Sequence, residues 1–366
     1  MKHYRAAVIG LGRMGSTFDD EIEQGGSIVL PYCHAPTYRA HPHIELVGGA
    51  DPHEEQRTLF GERWAISNHL YADHREMLAQ EKPDIVSIAT TARVRAQILL
   101  DAVAAGVKGI WAEKPLALSL AEADEMVRVC RENGVALAVN CARRYHASFS
   151  ETRRMIEKGD LGELLQITAY TQCGLSHNGS HAIDTIRYLA GGDVSWVFGE
   201  MESDEKAASD DDLMGNGYLA FDNGVRAFMR GMRTGTAAWE FDIIGTEKRV
   251  RTSPNAVEFE LLQNVPGGPR GRGISARSPF PPPARPQGMG ITIVDNLISA
   301  IEKGHAPRCS GEDALKALEI AIALRESHRQ GGRRISLPMT DRSLKILSSE
   351  IHADHMPVRV RRLQST

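Results

Sequence analysis

A chain of 366 residues, 42% of them hydrophobic and 25% charged, has material for about two globular domains. Its net charge of −4 excludes a nucleic acid or an acidic membrane surface held by bulk positive charge. No apolar run approaches the roughly 20 residues that span a bilayer, so neither a membrane nor a nucleic acid is an expected partner.

Met1-Lys2-His3-Tyr4-Arg5 leads directly into an apolar strand over 4–9, with no signal-peptide core, and a cytoplasmic location is expected. The strand ends in Gly10-Leu11-Gly12-Arg13-Met14-Gly15. Such a turn suits a dinucleotide: Gly10 permits the tight bend, Gly12 lets the backbone meet a pyrophosphate, and Gly15 lets the next helix pack closely. Backbone N–H groups there face the phosphates, which makes Gly10, Gly12, Arg13, Met14 and Gly15 candidate cofactor contacts. A helix is expected to open near Met14. The Gly- and acid-rich segment 17–31 then reads as an insertion, and helix resumes over 33–40.

A second strand over 44–50 ends at Asp51-Pro52. A carboxylate at this place accepts hydrogen bonds from the adenosine ribose and repels a 2′-phosphate, so Asp51 favours NAD over NADP. Its distance from Gly10 is about twice the usual ~20 residues, which the insertion accounts for. A plain turn after a strand is the competing reading.

Helix and strand alternate from there. Helices are expected over 54–63, 74–81, 93–105 and 118–133, the last capped near Ser119. Strands are expected over 69–72, 83–90, 109–112 and 135–139. This alternation predicts an α/β fold, a doubly wound parallel sheet of Rossmann type over 1–143. Beyond Arg144 the texture changes. Segments 164–170, 217–221, 225–230 and 239–244 read as antiparallel strands, with Asp222-Asn223-Gly224 as a hairpin turn. They predict a C-terminal α+β domain over 144–340 with an open, largely antiparallel sheet. The Gly-, Pro- and Arg-rich stretch 264–290 reads as loop, helices follow over 290–303 and 311–330, and 341–366 reads as a tail. Its run Arg359, Arg361 and Arg362 is either solvated or an intersubunit contact.

Two clusters carry chemistry. Glu113-Lys114-Pro115 follows a sheet strand, at the end where open α/β sheets bind ligands. A partly buried lysine there has a lowered pKa and can exchange a proton with a hydroxyl while hydride leaves the same carbon. The second cluster is Ser176-His177-Asn178-Gly179-Ser180-His181-Ala182-Ile183-Asp184. On a helix, His177, His181 and Asp184 share one face. They could meet a polyhydroxylated substrate, bind a metal, or simply open a helix capped by Asn178 or Ser180. The metal ranks last, and no metal is expected, because no activating carboxylate motif adjoins them. Cys33, Cys130, Cys141, Cys173 and Cys309 form no C-x-x-C pair and read as free thiols.

In sum of order, Gly10-x-Gly12-x-x-Gly15, Asp51, Glu113-Lys114-Pro115, Asn140-x-x-Arg143-Arg144-Tyr145, Gly162-Glu163-Leu164, Gly179-Ser180-His181-x-x-Asp184, Ile244-Gly245-Thr246 and Gly311-Glu312-Asp313-Ala314 resemble the glucose–fructose oxidoreductase / inositol dehydrogenase family over residues 1 to about 338. The resemblance implies NAD(P)-dependent chemistry on sugars and cyclitols, and a homodimer or homotetramer built on the C-terminal sheet. By position, Lys114 matches the family's catalytic lysine and His181 its active-site histidine. His177 stands where the family often has Asp, Thr91 where Pro is common, and Arg95 where His is common.

The expectation is an NAD-dependent dehydrogenase acting on a secondary alcohol of a sugar, cyclitol or derivative. Thr90, Glu113 and Lys114 line the nicotinamide side, Lys114 also moves the proton with His177 or His181 assisting, and Arg143, Arg144, Asn178 and Asp184 are candidates to bind substrate. Two other readings stay open: a lyase or hydrolase passing through a keto-sugar with NAD used transiently, and a dinucleotide or sugar sensor without turnover.

Overall fold

The computed structural model describes residues 3–22, 28–268, 273–283 and 287–348. Six strands build a first sheet: β1 (Tyr4–Ile9), β2 (Ile44–Ala50), β3 (Leu70–Tyr71), β4 (Ile85–Ile88), β5 (Gly109–Ala112) and β6 (Ala136–Val139). Their order is β3-β2-β1-β4-β5-β6, and every neighbouring pair is parallel. Ala6, Ala7 and Val8 are fully buried in succession, as a strand covered on both faces requires. The covering helices are α1 (His34–Ala40), α2 (Glu54–Trp64), α3 (His74–Glu81), α4 (Ala92–Ala104) and α5 (Leu120–Glu132). α5 opens on a capping box in which Ser119 Oγ accepts from Glu122 N and the Glu122 carboxylate accepts from Ser119 N, both at 3.2 Å. Strand order reverses between β1 and β4. Crossovers leave in opposite directions there and open a crevice at the carboxyl ends.

One expectation fails in this half. No α-helix opens at Met14; residues Arg13–Thr17 form a single π-helical turn and Phe18–Glu21 a 3₁₀ turn. The inserted segment takes the place of the helix. Arg13 pairs with Glu21 at 2.7 and 2.8 Å, and the Asp19 carboxylate accepts from Tyr32 N at 3.1 Å and Cys33 N at 2.8 Å. These contacts close the loop so that α1 starts only at His34. Part of the insertion, residues 23–27, lies outside the described residues.

The second half contributes α6 (Ala147–Glu157), β7 (Leu164–Thr171), α7 (Gly179–Ala190), β8 (Val194–Met201), α8 (Asp204–Ala207), β9 (Gly215–Phe221) and β10 (Arg226–Gly231). It continues with β11 (Glu240–Gly245), β12 (Lys248–Thr252), β13 (Phe259–Val265), β14 (Ile274–Ser278), α9 (Met289–Lys303), α10 (Gly311–Arg329) and β15 (Ile335–Ser336). The sheet has nine strands in the order β14-β13-β12-β11-β7-β10-β9-β8-β15. β7 and β10 run parallel, while the other named pairs are antiparallel. The hairpin at Asp222-Asn223-Gly224 forms as expected, with Gly224 at φ +91° joining β9 to β10.

The stretch 264–290 is not all loop. Its start completes β13, and β14 pairs with it from Leu261↔Ser278 to Val265↔Ile274. The alternation is masked there by arginine and glycine, which an edge strand tolerates. Residues 269–272 and 284–286 lie outside the described residues, as do Arg359, Arg361 and Arg362.

The second half also returns to the first sheet. A Cβ on Gly109 of β5 would lie 2.7 Å from Ile301 Cδ1, so this glycine lets α9 pack directly on the strand. Val139 N at the end of β6 donates to Cys309 O at 2.9 Å, just before α10. Residues 342–347 are not a free tail. Leu120 N donates to Leu344 O at 3.1 Å, Ala121 N to Arg342 O at 2.8 Å and Ile346 N to Leu118 O at 2.9 Å, pinning the segment to the start of α5. Among the described residues no helix is long and apolar enough to cross a membrane.

Candidate active site

The crevice begins at the glycine turn. Gly10 sits at φ +89°, and a Cβ on it would lie 2.9 Å from Ala89 C and Thr90 N. A Cβ on Gly15 would lie 2.1 Å from Gly10 O. Gly12 differs: nothing stands within 4 Å of the place its Cβ would occupy. The two outer glycines fix the turn, and the middle one leaves its backbone open to a ligand. The buried Asp51 carboxylate, at the end of β2, accepts from Leu11 N at 2.9 Å and from His53 N at 2.9 Å. Asp51 is thus tied to the turn it is expected to serve. This cradle fits a dinucleotide.

The other predicted contacts diverge. Arg13 turns toward the insertion, where it pairs with Glu21 and stacks over Phe18 at 4.3 Å. Met14 packs in a small apolar cluster around Tyr32, Ala142 and Met289. Thr90, at the end of β4, keeps a buried Oγ1 without a partner among the described residues. Arg95 donates to the carbonyls of Thr90 and Pro115, which binds the ends of β4 and β5 together.

Beneath the crevice runs a buried polar chain. The Ser87 hydroxyl lies 2.7 Å from Tyr38 Oη and 2.7 Å from His34 Nδ1. His34 Nε2 lies 3.2 Å from Glu113 Oε1, and Asn140 Nδ2 donates to the same oxygen at 2.5 Å and to Tyr32 Oη at 3.3 Å. Burial alone would raise the Glu113 carboxyl. The His34 hydrogen bond, the His34 and Lys114 charges and the Asn140 bond outweigh it and bring the group to about 2. Glu113 is therefore a buried carboxylate, ionised at every physiological pH.

Lys114 comes next. Its Nζ donates to His177 O and to Asn178 Oδ1, each at 2.9 Å. Burial holds the ammonium below its ordinary value, and the Glu113 charge opposes that shift. The facing loop is fixed from below, because the Asp212 carboxylate accepts from Ser176 N at 2.8 Å and His177 N at 2.7 Å. Asn178 occupies the N-cap position of α7, yet its side chain makes no cap. It serves Lys114 instead. His181 lies in the first turn of α7 with Nδ1 buried and, among the described residues, unpartnered. Burial, with the Lys114, Arg143 and His177 charges, pushes its imidazole well below 6.5, so it is neutral.

Two adjacent arginines have opposite fates. Arg144 forms a buried ion pair with Asp184, with Nε and Nη2 2.7–3.0 Å from the carboxylate, and also meets Asp313 at 3.1 Å. Arg144 and Asp184 thus satisfy each other and join the turn after β6 to α7, away from a substrate role. Arg143 instead stacks its guanidinium over Trp239 at 4.3 Å. Trp239 stands edge-on to His181, with centroids 6.3 Å apart, and adopts φ +56°, a costly conformation for a bulky residue.

His177, His181 and Asp184 do not share one helix face, since His177 precedes α7 and Asp184 is spent on Arg144. Among the described residues, one group has metal-ligand spacing, Cys141, Asp184 and Cys309, and a cation there would have to displace Arg144. Sequence reasoning missed His34, Ser87, Tyr32, Asp212 and Trp239. Each is remote in sequence from its partner, and only Trp239, as one of four tryptophans, carried any composition signal.

A model of the oxidoreductase family with an NAD-binding Rossmann fold matches residues 4–141, and its C-terminal alpha/beta domain matches 153–337. The chain belongs to the Gfo/Idh/MocA oxidoreductase family. It is 25% identical to the scyllo-inositol 2-dehydrogenase (NAD(+)) of Bacillus subtilis, over 90% of this chain and 96% of that protein. It is 27% identical to the D-apiose dehydrogenase of Paraburkholderia graminis, over 81% and 84% respectively. The aldose-aldose oxidoreductase of Caulobacter crescentus shares the fold, with a TM-score of 0.73 at 19% identity, over 92% of this chain and 100% of that one. As a Gfo/Idh/MocA member the chain is an NAD-dependent oxidoreductase. The glycine turn and Asp51 are where its dinucleotide would be held.

Proposed function

We propose that this enzyme interconverts a secondary alcohol and a ketone on a sugar, cyclitol or sugar derivative. The carrying observation is Lys114 Nζ, half-buried at the carboxyl end of β5 and held by two acceptors. NAD supplies the hydride acceptor. A neutral amine has two N–H groups and one lone pair. His177 O and Asn178 Oδ1 take the two hydrogens, which leaves the lone pair for the proton of a substrate hydroxyl. Burial favours the neutral amine by depressing the ammonium, and the Glu113 charge opposes that shift. Neutral His181, with its unpartnered Nδ1, is suited to meet a neighbouring hydroxyl. Arg143 and Asn178 complete the substrate side. Asp51 favours NAD over NADP, because a 2′-phosphate would meet its carboxylate.

A panel of sugars and cyclitols, assayed with NAD and NADP side by side by nicotinamide absorbance, tests this reading. Turnover with NAD on at least one polyol is expected. Tight NAD binding with no turnover on any of them overturns it.

The same reading includes a homo-oligomer formed through the nine-stranded sheet. Val197 and Gly199 of β8 face α10, so Trp196 and Phe198 alternate to the opposite face. There Trp196, Phe198, Tyr218 and Phe228 make a row of ring contacts, and Phe198 and Phe228 remain 40% and 39% exposed. Such a patch supports association of two copies.

A further inference from the structure

Arg143 stands apart from the other charges of the site. Three carboxylates of the site are already committed: Glu113 to His34 and Asn140, Asp212 to two backbone amides, and Asp184 to Arg144. Among the described residues the half-buried Arg143 has no ion-pair partner, and Tyr32, Cys173 and Cys141 lie close enough to act on its charge. Burial moves its guanidinium down to about 10, whereas Arg144 next to it is held up by Asp184 and Asp313. A desolvated cation left without a counter-charge is unfavourable in a finished core. In a binding site it is a vacancy of charge for a ligand to fill.

The geometry selects the kind of anion. Trp239 covers one face of the guanidinium at 4.3 Å and is itself held at φ +56°. A stacked guanidinium offers its in-plane edge, where two parallel N–H groups match a planar carboxylate. Trp239 links Arg143 to His181, standing under the guanidinium at 4.3 Å and edge-on to the imidazole at 6.3 Å, and Lys114 is bound to His177 and Asn178 just before His181. We propose that the substrate is a hydroxy acid of the sugar class, a uronate, aldonate or similar polyol carboxylate. Its carboxylate pairs with Arg143 beside Trp239, and its reacting hydroxyl meets Lys114. This rests on the dehydrogenase reading for the role of Lys114 but not for the binding of the acid.

The test measures binding and turnover separately on the NAD-loaded protein. D-glucuronate, D-galacturonate, D-gluconate and D-glycerate are titrated against D-glucose, D-galactose, D-glucitol and glycerol, with calorimetry and tryptophan fluorescence as readouts. At least one acid is expected to bind about ten- to a hundredfold tighter than its neutral counterpart, the range of a charge-assisted hydrogen bond. Arg143→Gln should erase that preference, and Arg143→Lys should restore part of it. The proposal is overturned if no acid binds, if neutral partners bind equally, if a sugar phosphate outbinds every carboxylate, or if Arg143→Gln keeps the preference. An acid that binds through Arg143 yet never reduces NAD sinks the dehydrogenase reading and leaves this one standing. A neutral polyol oxidised with no acid preference does the reverse.

Discussion

His34 Nε2 and Glu113 Oε1 lie 3.2 Å apart, and both side chains are closed off from solvent. The pair joins α1 to the end of β5 and sets the charge beside Lys114. Its first consequence is a pH dependence of stability. The Glu113 carboxyl falls from an ordinary 4.5 to about 2 on folding, so its contribution is complete above pH 4.5 and is lost as pH falls through 2. The size is about 3 kcal/mol. Chemical denaturation of Glu113→Gln between pH 2 and 7 should show that difference from wild type shrinking across this window. A constant difference would remove the role given to the carboxylate.

The same substitution should move activity. Glu113 holds the Lys114 ammonium up against burial, so Glu113→Gln lowers Lys114 further. Oxidation needs the neutral amine, and the acid limb of kcat/KM should therefore shift to lower pH. Lys114→Met should cost about 10²–10⁴ in kcat, with NAD affinity preserved in a fluorescence titration. Unchanged turnover in Lys114→Met would assign the proton to another group.

The glycine turn separates folding from cofactor binding. Nothing stands within 4 Å of a Cβ on Gly12, so Gly12→Ala should leave the melting temperature of the cofactor-free protein unchanged. It should weaken NAD by about tenfold or more, because the methyl enters the space a phosphate needs. Gly15→Ala meets Gly10 O at 2.1 Å and should lower both stability and affinity. Equal NAD affinity in Gly12→Ala and wild type would place the dinucleotide elsewhere.

Arg144 and Asp184 make a buried pair whose loss is structural. Asp184→Asn should destabilise by about 3–5 kcal/mol, since it strands a buried guanidinium. Asp313, at 3.1 Å, offsets part of this. The fraction that stays folded should bind substrate with an unaltered KM. A raised KM at full stability would return these residues to the substrate site.

The aromatic row on the large sheet sets the assembly. Phe198→Glu with Phe228→Glu places charges on both exposed rings of the row. Sedimentation equilibrium should then show monomers where wild type sediments as dimers or tetramers. A wild-type monomer, or an assembly indifferent to both charges, would reject this face.

The glycine turn was legible in sequence because its geometry is local: Gly10, Gly12 and Gly15 act within one turn, and Asp51 closes a strand. Glu113-Lys114-Pro115 was legible for the same reason. The support beneath it was not. His34 meets Ser87 across 53 residues and Glu113 across 79, and sequence spacing carries no trace of such contacts. The insertion hid a function as well. It was readable as extra length, but its delivery of Tyr32 to Asn140 depends on Asp19 and on Met289 packing from far along the chain. Arg143 and Arg144 were read alike because they are adjacent and identical. A short turn sends one to Asp184 and the other to Trp239, and only backbone geometry tells them apart.

The return of α9 to β5, and of residues 342–347 to α5, bears on how the protein is made. The first sheet is synthesised early, but its covering at Gly109 comes from Leu297 and Ile301, and the strap on α5 comes later still. During translation the nucleotide-binding half must wait, with an apolar face uncovered, until nearly the whole described chain has left the ribosome. A fragment ending at residue 143 should therefore expose this apolar face and be sticky rather than soluble.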